Sequence, residues 1–126
     1  MTEKIIGVII VDHGSRRAAS NETLLAATQR YADTGPYEIV EPAHMELAQP
    51  DIATAFGRCA VQGASLIIVF PYFLSPGRHW QEDIPRLVAE AAETHPGVEW
   101  KVTAPFGLHE GMTDIITKRI GEALRD

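Results

Sequence analysis

Two strand-like apolar runs in this chain each end in a histidine with arginines beside it. Ile5 to Val11 passes into Asp12-His13-Gly14-Ser15-Arg16-Arg17, and the run ending at Phe70 passes into Pro71-Tyr72-Phe73-Leu74-Ser75-Pro76-Gly77-Arg78-His79. Two neutral imidazoles facing each other suit a borderline divalent ion such as Fe2+, Co2+ or Ni2+, and either can accept a proton near neutral pH. The flanking residues offer a grip on anions. Arg16, Arg17 and Arg78 carry planar guanidinium forks that match carboxylates, while Gly14, Ser15 and Gly77 let backbone N–H groups and a hydroxyl come close. Glu46, in Ala43-His44-Met45-Glu46, follows a third apolar segment and could accept protons or hold a cation.

Plainer roles are open to the same residues. A His-Gly turn after a strand is commonly structural, Pro76-Gly77 can be a simple tight turn, and Glu46 can be a helix-entry carboxylate near Pro50. His44 is expected to hydrogen-bond at its strand end and Trp80 to pack at the mouth of a cleft. His95 and His109 are expected in solvated loops.

Whether these residues meet depends on the elements that carry them. Strands are expected over Lys4–Val11, Glu38–Ala43, Ser65–Tyr72 and Val98–Thr103, the first and third as continuous apolar runs of the kind covered on both faces. Helical periodicity lies between them. Ile52, Ala55, Phe56, Cys59 and Ala60 share one face, with Pro50-Asp51 before them and Gly63 after. Met112, Ile115, Ile116, Ile120 and Ala123 place a last helix on the sheet. Ile84, Leu87, Val88 and Ala91 mark another, in which Pro85 is expected within the first turn. A first helix over about Asn21 to Ala32 would turn Leu24, Thr28 and Tyr31 inward.

This alternation implies right-handed crossovers and a parallel sheet, an α/β three-layer sandwich with helices on both faces and one domain over residues 1–126. For strand order 2-1-3-4 the ligand crevice opens beyond the carboxyl ends of strands 1 and 3, which would bring His13 and His79 to one cleft.

Composition narrows the function classes. Eleven Lys+Arg against seventeen Asp+Glu leave a net charge of −6, which disfavours a general nucleic-acid binder. Apolar runs stop far short of the ~20 residues that span a bilayer, and the first strand starts almost at once, so a cytoplasmic protein without a membrane segment is expected. Cys59 is the single cysteine, which excludes an internal disulfide and favours a buried apolar role.

The segments GVIIVDHGSRR, IVEPAHMELAQPD and FPYFLSPGRHWQEDIP resemble the class II tetrapyrrole chelatases, in particular the small sirohydrochlorin chelatases. The resemblance runs from the first strand to the last helix. It implies that His13 is the proton-accepting and metal-contacting histidine and His79 the second metal-contacting one. It also implies that Glu46 and the turn Phe73, Leu74, Ser75, Pro76, Gly77, Arg78 surround the macrocycle. Ser15, Arg16 and Arg17 would then join Arg78 around the carboxylates of a flat polyanionic ring. The expected reaction is insertion of Fe2+ into sirohydrochlorin to give siroheme, with Co2+ or Ni2+ as the alternative metal substrates. No permanently bound cofactor is expected. Short relatives pair as homodimers, so a homodimer with a shared cleft is expected too. A noncatalytic tetrapyrrole or metal carrier is the alternative of another class; a His-Gly phosphate-transfer enzyme lacks a second phosphate-binding signature.

Overall fold

In the computed structural model, residues 3–75 and 77–125 are described, without the side chains of residues 78–80. Four strands and four helices alternate: β1 (Ile6–Asp12), α1 (Ala18–Thr34), β2 (Ile39–His44), α2 (Ile52–Val61), β3 (Leu66–Pro71), α3 (Arg78–Ala92), β4 (Glu99–Val102) and α4 (Glu110–Leu124). The sheet is parallel throughout, in the order β2-β1-β3-β4. This is the expected α/β topology, in which the chain reverses direction between β1 and β3.

The two faces of the sheet differ in depth. Ile9 and Val11 of β1 and Ile67 and Val69 of β3 point into the main core, where they meet Ile52, Ala55, Phe56 and Cys59 of α2 and Ile84 and Val88 of α3. All ten are almost wholly removed from water. Gly7 lets α2 close in, since a Cβ there would lie 2.9 Å from that of Ala64 and 3.2 Å from that of Cys59. The opposite face is thin. Among the described residues it buries Val8, Ile10 and Leu24 as a cluster, with Ile6, Val40 and Phe70 packed at its edge. Among the described residues, α1 covers it, lying over β1 and β2.

Some expectations need correction. The last helix does not pack on the sheet: no residue of α4 is buried, and Ile115, Ile116 and Ile120 are 50%, 59% and 54% exposed. The other face of β3, at Ile68 and Phe70, is therefore only half-covered despite its continuous apolar sequence. Pro85 lies inside α3 and not in its first turn. The carbonyl that loses its donor belongs to Gln81, an exposed residue, so water can satisfy it. His109 lies exposed in a loop as expected, and it also caps α4, its ring nitrogen accepting from the Gly111 N–H at 3.0 Å.

His95, by contrast, is half-buried, its ring 5.6 Å from that of Phe56. Leu24 and Thr28 of α1 are buried as expected, while Tyr31 remains 36% exposed.

Candidate functional site

Hydrogen bonding between the first two strands does not stop where the strands do. Asp12 is level with His44, and beyond them the Met45 N–H donates to the Asp12 carbonyl at 2.8 Å and the Glu46 N–H to the His13 carbonyl at 3.1 Å. Two extra rungs thus put His13 and Glu46 side by side. His13 Nε2 lies 3.5 Å from Glu46 Oε1, with both side chains about half exposed. The pair is close enough to interact and open enough to receive a ligand.

Gly14 makes the approach possible. Its φ is +91°, and a Cβ at that position would fall 1.8 Å from the Glu46 carbonyl oxygen, so any side chain would drive the two loops apart. After Glu46 the chain returns, through Leu47 at φ +69°, until the His44 N–H donates to the Pro50 carbonyl at 2.8 Å. Glu46 therefore projects from a small closed loop.

Beneath this pair lies one that periodicity does not reveal. His44 is completely buried, and its Nδ1 donates to the Asp12 carboxylate at 2.6 Å. Its Nε2 is buried without a hydrogen-bond partner among the described residues. The expected strand-end hydrogen bond is present, although its acceptor comes from the neighbouring strand.

The turn after His13 is pinned by its own groups. The Ser15 N–H donates to Asn21 Oδ1 at 3.0 Å, Asn21 Nδ2 to the Ser15 carbonyl at 2.8 Å, and the Arg17 N–H to Ser15 Oγ at 3.0 Å. Ser15 is thus committed to shaping the turn. Arg16 and Arg17 are exposed on it, with no carboxylate partner among the described residues.

At the end of β3 the Tyr72 N–H donates to the Val11 carbonyl at 2.7 Å, which keeps the two turns adjacent. Phe73 packs on the core, Leu74 and Ser75 are exposed, and Gly77 is the N-cap of α3. Pro76 and the side chains of Arg78, His79 and Trp80 lie outside the described residues. The backbone of Arg78 and His79 forms the first turn of α3, not part of the preceding turn.

Helix ends add an electrostatic element. α2 and α4 are capped at their N-termini by the Asp51 and His109 side chains, whereas α1 and α3 have neither a side-chain cap nor an acidic residue in the first turn. Their free N–H groups carry partial positive charge, with the exposed Arg16 and Arg17 just ahead of α1. The strand-end edge between α1 and α3 is thus suited to anions on a chain that is acidic overall. Among the described residues, no group of three or more His, Cys, Asp or Glu is arranged to hold a metal ion.

Residues 7–123 match the CbiX family model. Among similar proteins, the chloroplastic sirohydrochlorin ferrochelatase of Arabidopsis thaliana is 49% identical over 94% of this chain and 52% of its own length. The sirohydrochlorin cobaltochelatase of Sulfurisphaera tokodaii is 31% identical over 94% of each chain. The structure of SirB from Bacillus subtilis with Fe3+ superposes with a TM-score of 0.85 at 27% identity, covering 94% of this chain and 47% of that one. The chain therefore spans about half the length of the Arabidopsis and Bacillus proteins and nearly all of the Sulfurisphaera protein.

Proposed function

Since this chain belongs to the CbiX family, we propose that it is a sirohydrochlorin chelatase, inserting Fe2+ into sirohydrochlorin to form siroheme. The observation that carries the reading is the half-exposed His13–Glu46 pair at the strand-end edge flanked by two uncapped helix N-termini. A metal-inserting site needs a proton acceptor where the ring nitrogens arrive and a positive surround for the ring's carboxylates.

The reaction exchanges two pyrrole N–H protons for one divalent ion. His13 Nε2 takes up protons and meets the incoming ion, and Glu46 stabilises the imidazolium that results or passes its proton outward. Nitrogen and carboxylate donors hold a borderline ion weakly enough to release it, which thiolates would not. His79, in the first turn of α3, supplies the second imidazole. Arg16, Arg17 and Arg78, with the N–H groups of Gly77 and the first turn of α3, receive the carboxylates, while Phe73, Leu74 and Ser75 line the cleft. Two copies of the chain act together in this reading, the cleft being shared between them, in the cytoplasm.

A cobalt reading is favoured by the cobaltochelatase of Sulfurisphaera tokodaii, which this chain matches along nearly its whole length. The donor set itself does not select between the ions. Purified protein mixed anaerobically with sirohydrochlorin and Fe2+, Co2+ or Ni2+ in turn should speed the change in the visible spectrum over a protein-free control, most with Fe2+. Ring binding without acceleration by any ion would make the protein a carrier.

A further inference from the structure

A buried polar contact joins the residue before His13 to the strand that leads to Glu46. Asp12 and His44 stand level at the ends of β1 and β2, and the His44 imidazole, wholly out of water, reaches across to the Asp12 carboxylate. The proposed reaction uses neither group. Stability does not account for them either. A hydrogen bond between two strands that are already paired adds little, and His44 Nε2 is left without a partner among the described residues, which counts against the folded state. An apolar residue of similar size at position 44 would avoid that penalty, and apolar replacements of buried polar pairs are often neutral or stabilising.

What the pair does hold is the base of the site. The His44 N–H donates to the Pro50 carbonyl and the residue bridges to Asp51, so the loop that carries Glu46 closes on His44 itself. A Cβ on Gly14 would come within 3.3 Å of the His44 Cβ, so the turn that carries His13 rests on the same residue. Asp12 supplies the carbonyl that receives the Met45 N–H, one step before the Glu46 N–H reaches His13. A strand pair is prone to fray at its last rungs, where each added hydrogen bond stands at an open end. The Asp12–His44 bond is a side-chain crosspiece directly below those rungs, with its donor shut away from water.

We propose that Asp12 and His44 are positioning residues for metal insertion. Their hydrogen bond clamps the ends of β1 and β2, so that the two rungs above it stay formed and hold His13 Nε2 and Glu46 Oε1 at their 3.5 Å spacing. The bond acts through where it holds the backbone, not through its charge. The inference rests on the chelatase reading for its effect on rate, whereas the clamp itself does not.

Amide hydrogen exchange and metal insertion, measured on the whole chain, test it with three variants. Asp12→Ala and His44→Leu each remove one end of the bond, while Asp12→Asn keeps an oxygen that can accept from His44 Nδ1. The Met45 and Glu46 amides should lose about tenfold or more of their protection in Asp12→Ala and His44→Leu, relative to β3 amides that report opening of the whole fold. Asp12→Asn should keep most of it. In the same two variants kcat for insertion should fall by about tenfold or more, as misplacement of a reacting group does. The KM for sirohydrochlorin should stay within about twofold of wild type, since the ring's carboxylates are received elsewhere. His44→Leu should show this split with its denaturation midpoint little changed, which a role in stability alone would not give. Unchanged protection in both variants overturns the clamp. An unchanged kcat while the rungs loosen, a loss confined to KM, a kcat that falls only where the midpoint falls, or Asp12→Asn as slow as Asp12→Ala overturns the positioning role. A wild-type protein that inserts no metal removes the chelatase reading, and amide exchange still decides whether the pair holds the rungs.

Discussion

At the scale of single residues, the site depends on backbone permission as much as on side-chain chemistry. His13 and Glu46 come within 3.5 Å because Gly14 has no Cβ to hold their loops apart. If His13 accepts the ring protons, His13→Ala should lower the rate of metal insertion by about 10^2-fold or more, the usual scale for losing a positioned base. The imidazole is half exposed, so the fold should remain, and an unchanged circular dichroism spectrum would show it. Wild-type turnover in this variant would move the base elsewhere. Such candidates were legible because histidine and arginine stand directly after apolar runs. The Asp12–His44 bond was not. Its two residues are 32 positions apart, and nothing in either local pattern tells a buried polar pair from two exposed strand ends.

At the scale of elements, α2 is the most fully specified piece of the chain. Asp51 Oδ1 accepts from the Thr54 N–H at 2.8 Å, and the apolar face behind that cap fills the main core. The Thr54 side chain, and next its backbone N–H, hold the Asp51 carboxyl below the usual carboxylate range. A carboxyl depressed in the folded state contributes stability above its unfolded pKa and loses it as pH falls through the folded value. Asp51→Ala should therefore cost about 1 kcal/mol at neutral pH, a typical loss for an N-cap. In denaturant melts that difference should shrink below about pH 4; a constant gap down to pH 2 would show that the cap acts without its charge. The periodicity and start signals of α2 made it readable in advance. For α3 the Pro85 rule misplaced the start, because a proline inside a helix is tolerated where the freed carbonyl faces water.

At the scale of the whole molecule, one deep core and one shallow one divide the work. Cys59 belongs to the deep side, where burial first, and the charge of Glu41 second, push its thiol up to about 12. The thiol should stay protonated and unreactive in the native protein, and modification by a thiol reagent should follow global unfolding as denaturant is raised. Labelling at the rate of a free thiol in native buffer would mean that α2 opens on its own. The strand order and parallel sheet were legible, because alternating strand and helix signals leave few ways to wind a chain. The place of α4 was not. A periodic apolar face says that a helix must be covered, but carries no information about which surface covers it, and here no residue of α4 is buried.

The two hydrogen bonds that prolong β1 and β2 beyond their ends also bear on motion. Because His13 and Glu46 stand on one rung, a flexing of the sheet edge carries both in the same direction. Their separation should fluctuate less than the position of either, as with two passengers on one step of a moving stair. A rigid macrocycle entering the cleft would then meet an imidazole and a carboxylate at a constant spacing, wherever thermal motion had taken the edge at that instant.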